Sequence, residues 1–258
     1  MAAILVDVEG VLQVSGEPIP GAPEAVRRLR ADGHRLRFLT NTTTRARTRL
    51  AEELNAVGFE IDESEIQTTA AAAVRALHGR RVLALTMHAI VGDLEGIELV
   101  GEGAEAVLIG GADETPETNL VFSYMNLARA FAELELGAQL YALHKNRWWQ
   151  TKLGPLLDSG AFVAGLEYAA DVEAIVLGKP SPSYFEAACE ELDTDPELAW
   201  MVGDDLESDI AGAQALSLRT VLVRTGKFRP DAVERSRVRP DGIVSSISQL
   251  PAWLEEHG

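Results

Sequence analysis

Short apolar runs alternate along this chain with longer segments in which apolar positions recur at helical spacing. Residues 2–8 (AAILVDV) read as a strand, and residues 21–33 (GAPEAVRRLRADG) as a helix that stops at Gly33. Residues 35–41 (RLRFLTN) are the next strand and residues 43–58 the next helix, ended by Gly58; residues 63–79 (ESEIQTTAAAAVRALHG) predict a third helix. Such alternation favours right-handed βαβ units and a parallel sheet covered by helices.

After about Gly79 the rhythm changes. Residues 80–86, 104–111 and 138–144 are short strand candidates, and residues 118–137 (TNLVFSYMNLARAFAELELG) predict one long amphipathic helix. Near Asp171 the first rhythm resumes, with a strand at 173–178, a helix at 180–193, strands at 198–205 and 219–226, and a closing strand and helix. The expected fold class is α/β: a Rossmann-like parallel-sheet core built from residues 1–78 and 171–258, with an inserted α/β domain at 79–170.

Composition narrows the function classes. At 258 residues the chain can bury a sizeable core in one large domain or two smaller ones. It holds no apolar run of the roughly 18–20 residues that span a bilayer, and its N-terminus carries no secretion pattern. A net charge of −17 argues against nucleic-acid phosphates and anionic membranes as partners. The basic clusters RLRADGHRLR and TTTRARTR read as solvated helix faces, with an anion-attracting rim as the second option. The single cysteine, Cys189, forms no internal disulfide, and a cytoplasmic location is expected.

Candidate chemistry gathers at strand ends. Asp7, Thr40, Lys179 and the group Asp204, Asp205 and Asp209 each lie at or just past the end of a predicted core strand, where open α/β sheets bind ligands. Singly, each has an ordinary reading as a turn former, a helix cap or a solvated lysine. Together they describe one chemistry. Converging carboxylates repel unless a cation neutralises them, and an all-oxygen set suits Mg²⁺. A lysine and a hydroxyl supply what an anionic phosphate needs, and a carboxylate beside it can act as a nucleophile.

In that order, DVEGVL, FLTNTTT, GKPSPSYF and GDDLESD resemble the four motifs of the haloacid dehalogenase superfamily. The insertion is similar to the α/β cap of its class II, NagD-like branch. TNTTT, ALHKNRWW, GAFVAGLEYA and GDDLESDIAGAQ look closest to the phospholysine phosphohistidine inorganic pyrophosphate phosphatase group.

The resemblance implies a Mg²⁺-dependent phosphatase acting on a small phosphorylated substrate (a monoester, a phosphoramidate or pyrophosphate) through an aspartyl-phosphate on Asp7. Thr40 and the Asn41 backbone would hold the phosphoryl oxygens, and Lys179 would neutralise the nucleophile and phosphate. Asp7, the Glu9 backbone carbonyl and Asp204 would ligate Mg²⁺, with Asp209 binding through water or orienting the other ligands. Asp205 fits a capping role better, and Gly10 suits a sharp turn. The cap would cover the crevice, select substrates and take part in a homodimer. Within it, residues 144–149 (HKNRWW) read either as a rim for the leaving group or as packing and subunit contact.

Glu9 departs from the family pattern, which has aspartate there as general acid and then base. Glutamate moves the charge by about 1.5 Å if extended, and a displacement of about 1 Å can cost on the order of a hundredfold in rate. Serine at this position in similar proteins implies that aspartate is not obligatory. Hydrolysis is therefore expected to survive, and Glu9→Asp to keep or raise turnover. The alternative is a catalytically weakened protein that binds a phosphorylated ligand or partner. A signalling receiver is excluded by length and by the order of its acidic residues, and a dehalogenase by the complete acidic metal set.

Overall fold

A computed structural model describes residues 1–151 and 154–257, the side chains of residues 149–151 excepted. The chain divides into two compact units, one of Met1–Thr40, Thr48–Gln67 and Lys179–Gly258, the other of Asn41–Arg47 and Thr68–Gly178.

The first unit is built on six parallel strands. From one edge the order is Gly242–Val244, Arg219–Val223, Ala199–Gly203, Ala3–Asp7, Arg35–Leu39 and Ile66–Gln67. Every residue of Ala3–Asp7 is buried, as an unbroken apolar run requires when helices cover both sheet faces. Its core joins Ile4, Val6, Phe38, Trp200, Val202 and Val221 of the sheet to Val26, Leu29, Leu50 and Leu54 of two helices. The chain leaves Ala3–Asp7 toward one edge and returns on its other side at Ala199–Gly203, so strand order reverses between these two neighbours. Ligand crevices of doubly wound sheets open at such a switch point.

The second unit carries a five-stranded parallel sheet in the order Ile175–Val176, Gln139–Ala142, Ala106–Ile109, Arg81–Leu85 and Glu98–Leu99. One apolar cluster joins Leu83, Val107 and Leu140 to Leu134 and Val163; another joins Val82, Leu108 and Tyr141 to Ala73, Leu77 and Ile90. Trp148–Thr151 and Gly154–Leu157 form a separate antiparallel pair. Among the described residues no helix is long and apolar enough to cross a membrane.

The periodicity misplaces three elements. Residues 63–79 are not one helix: a turn at Glu63–Glu65 closed by an Asp62 capping box leads into the edge strand Ile66–Gln67 and then the helix Thr69–Leu77, which Thr68 caps. The long helix expected at 118–137 is two, Pro116–Val121 and Tyr124–Glu135. The break buries Phe122 in a stack on Phe162 with ring centroids 4.2 Å apart, and Ser123 Oγ accepts from Asn126 N at 3.4 Å. Finally, Thr69–Leu77 and Ile175–Val176 cluster with the second unit rather than the first. Val176 pairs with Ala142, and Ala73 and Leu77 pack on Val82 and Leu108. Periodicity shows that an element has an apolar face but not which sheet that face meets.

Candidate active site

Asp7 ends the central strand, and Asp204 follows Gly203 at the end of its neighbour. Strand pairing alone thus brings two carboxylates to the switch point. Asp209 comes from the helical turn Leu206–Ala211, and Lys179 precedes the helix Pro182–Glu191. All four are buried, with relative exposures of 6%, 3%, 1% and 4% for Asp7, Asp204, Asp209 and Lys179.

Lys179 Nζ donates to Asp7 Oδ1 and, at 2.7 Å, to Asp209 Oδ1. Asp209 Oδ2 accepts from the amides of Asp204 and Asp205 at 3.1 Å each. Asp204 Oδ2 accepts from Lys227 N at 2.6 Å. Asp7, Asp204 and Asp209 each present an oxygen within 4.8 Å of the others. Three buried carboxylates against one buried ammonium leave excess negative charge, which a hard divalent cation with oxygen ligands fits.

The titration behaviour has the same cause. Burial raises the Asp7 carboxyl well above the ordinary range, Lys179 opposes this, and Asp209 and Asp204 add to it. Burial, followed by Asp209, pushes Asp204 up to about 7. For Lys179 burial works toward the neutral amine, but Asp209 and Asp7 outweigh it and hold the ammonium charged. A cation beside these oxygens would favour the ionised carboxylates and so act against both carboxyl shifts.

Glycines permit the crowding. Gly10 lies at φ 94°, and a Cβ there would run into the Asp204 carboxylate; Gly226, at φ 57°, borders the same carboxylate and the Gly10 Cα. Thr225 Oγ1 donates to Gly10 O, tying the loop after Arg219–Val223 to the turn after Ala3–Asp7. Gly226 and Lys227 escape the sequence reading because no motif spacing marks them.

Thr40 is buried one residue beyond Leu39, the register partner of Asp7. Its peptide is held by Tyr184, whose hydroxyl lies 2.6 Å from Gln67 O, 2.9 Å from Thr40 O and 3.3 Å from Thr40 N. Tyr184 is missed from sequence because it reads as one more apolar helix position. Asn41 begins the stretch that clusters with the second unit. Asp205 caps the turn, accepting from Glu207 and Ser208 N at 3.0 Å each, and pairs with Lys227 Nζ at 3.1 Å.

Glu9 is exposed, and its Oε1 accepts from Ser15 N at 2.7 Å. Its side chain is not among the clustered carboxylates. In the second unit His144 is buried beside Thr43, with Nε2 3.3 Å from Thr43 Oγ1. Lys145 pairs with Glu167 at 2.7 Å, and Trp148 is exposed opposite Leu157. The Trp149 side chain, part of the expected rim, lies outside the described residues.

Fold and site together define a doubly wound α/β protein with a buried acidic centre at its switch point. Residues 4–99 match the family described as haloacid dehalogenase-like hydrolase, and residues 176–250 match the HAD-hydrolase-like family. The chain is 40% identical to a phospholysine phosphohistidine inorganic pyrophosphate phosphatase of Xenopus laevis, across 95% of this chain and 92% of that protein. The p-nitrophenyl phosphatase from Archaeoglobus fulgidus superposes with a TM-score of 0.90 at 26% identity, covering 98% of each chain. A glycerol phosphate phosphatase from Mycobacterium tuberculosis, solved in complex with magnesium, superposes with a TM-score of 0.85 at 26% identity over 96% of this chain and 76% of its own. The chain belongs to the haloacid dehalogenase-like hydrolases, and it is a phosphatase of that family.

Proposed function

We propose that the protein hydrolyses a small phosphorylated substrate in a Mg²⁺-dependent reaction through an aspartyl-phosphate on Asp7. The observation that carries this is the buried contact of Lys179 with both Asp7 and Asp209 beside Asp204. Asp7 Oδ attacks phosphorus, the bond from phosphorus to the leaving atom breaks, and that atom takes the electron pair and a proton from Glu9. Water then attacks phosphorus, the Asp7 oxygen–phosphorus bond breaks, and the water proton passes to Glu9. Lys179 opposes protonation of Asp7 and offsets charge on the nucleophile and the phosphoryl group. Thr40 and the Asn41 backbone bind phosphoryl oxygens. Asp7, Asp204 and the Glu9 carbonyl would hold Mg²⁺, with Asp209 orienting them, and the ion would stabilise charge on the transferring group.

The Xenopus relative's name favours P–N and P–O–P bonds beside monoesters as substrates. Exposed Leu120, Tyr124 and Met125 on consecutive helices of the second unit favour a homodimer, and the lone cysteine suits a cytoplasmic setting. A second reading, a phosphate-binding protein of weakened activity, is favoured only by the engagement of Glu9 with Ser15.

Hydrolysis of an aryl phosphate with and without Mg²⁺, set against Asp7→Asn, tests the proposal. Turnover is expected only with metal and Asp7. Activity that survives the loss of either would sink the mechanism, and Mg²⁺ binding without turnover on a broad phosphate panel would favour the second reading.

A further inference from the structure

The extra methylene of Glu9 has a structural counterpart in the turn that follows it. Beyond the central strand the chain forms a small antiparallel hairpin, Gln13–Val14 against Glu17–Pro18, closed by Ser15 and Gly16. Both turn residues lie at positive φ, 53° for Ser15 and 83° for Gly16, as in two-residue turns whose twist matches their strands. Glycine adopts this conformation freely. Serine does not, because its Cβ crowds the following carbonyl. The turn therefore needs a hold from outside its own sequence.

Glu9 supplies one. Its Oε1 accepts from Ser15 N at 2.7 Å, a charge-assisted bond. Its backbone bridges to Gln13, and Gly10 N donates to Gln13 O at 2.7 Å. The flanking residues Val8, whose carbonyl accepts from Gln13 N at 3.2 Å, and Gly10 are thus bonded to the base of the hairpin by their main chain, and Glu9 is bonded to its tip by its side chain.

We infer that Glu9, beside the proton transfer proposed for it, clamps this hairpin through the Ser15 amide and so positions it, and that its length relative to aspartate serves that reach. The hydrogen bond stands by itself; only the benefit to turnover rests on the phosphatase reading above. From the same Cα an aspartate carboxylate falls about 1.5 Å short, which opens the contact beyond hydrogen-bonding distance. Glutamine keeps the length and the acceptor oxygen and loses the exchangeable proton. The two substitutions therefore separate the clamp from proton transfer.

The test is hydrogen exchange at the Ser15 amide of the full chain, with hydrolysis of aryl phosphates of graded leaving-group pKa, for wild type, Glu9→Asp and Glu9→Gln. Glu9→Asp is expected to lose about tenfold of Ser15 protection, and its turnover to fall by a similar factor for good and poor leaving groups alike, which reverses the expectation from sequence alone because the Ser15 contact needs the longer side chain. Glu9→Gln is expected to keep the protection while losing turnover most on poor leaving groups. Unchanged protection in Glu9→Asp, lost protection in Glu9→Gln, or wild-type turnover by Glu9→Asp would each overturn the clamp. Failure of the phosphatase reading looks different: wild type then shows no Asp7-dependent hydrolysis, and the exchange comparison still reports on the clamp.

Discussion

Asp204 shows how one residue links charge to stability. Its carboxyl is raised from the ordinary 3.8 to about 7 by burial and by Asp209. A carboxyl raised on folding stabilises the folded state below its unfolded pKa, and that contribution disappears as pH climbs through the folded value. The metal-free protein should therefore lose stability between about pH 4 and 7, with Asp7 adding in the same direction. Under the proposed mechanism Mg²⁺ would bind the ionised carboxylates, so its stabilising effect should grow over that window. Melting temperatures with Mg²⁺ and with chelator, at pH 5 and pH 8, check this; an equal Mg²⁺ increment at both values would refute it. Tyr184 offers a second residue-scale expectation. Tyr184→Phe removes the hydroxyl shared by the ends of two strands, which the Thr40 and Gln67 carbonyls and the Thr40 amide all contact, while Gln67 O keeps Thr40 N as a donor at 3.1 Å, at a cost of about 1 kcal/mol in denaturant unfolding. Loosening the Thr40 peptide should also raise KM more than it lowers kcat.

Among elements, the loops decide how the acidic cluster is held. The sheet brings Asp7 and Asp204 to neighbouring strand ends, but the loop Thr225–Lys227 presses on Asp204 and donates Lys227 N to it. Gly226→Ala would drive a Cβ into that carboxylate. It should weaken Mg²⁺ binding by about tenfold or more, as outer contacts to metal ligands commonly do, while the far-ultraviolet circular dichroism of the sheet stays unchanged. A Mg²⁺ titration followed by thermal shift reads the effect. Which loops do this work was only half legible. Asp7, Asp204, Asp209 and Lys179 stand in recognisable runs with glycine or proline beside them. Gly226, Lys227 and Tyr184 act through backbone amides and a hydroxyl, and a periodicity of side chains does not record where a backbone amide points.

For the molecule as a whole, the second unit is the part open to direct test. Residues 68–178 contain every strand of the five-stranded sheet and the apolar clusters on it, so a fragment of those residues should fold alone. A cooperative chemical denaturation of that fragment would agree; a non-cooperative one would show that the segment Asn41–Arg47, which lays Thr43 against His144, is required. The charge of −17 belongs to this scale too. It bears on partners and solubility rather than on fold.

By itself the sequence determined the α/β class, the strand that ends in Asp7, the discontinuous pattern of strands and helices, and the four runs that resemble the family motifs. These are local quantities: periodicity, turn residues and the residue types at strand ends. Tertiary structure decided the rest. It gave Ile175–Val176 and Thr69–Leu77 to the second sheet, because hydrogen-bond partners and apolar contacts come from residues far along the chain. It placed three carboxylates and one ammonium in a common buried volume, where burial raises the Asp7 and Asp204 carboxyls above their ordinary range. And it turned the Glu9 carboxylate onto Ser15, a contact that depends on the hairpin's path and on one methylene of reach.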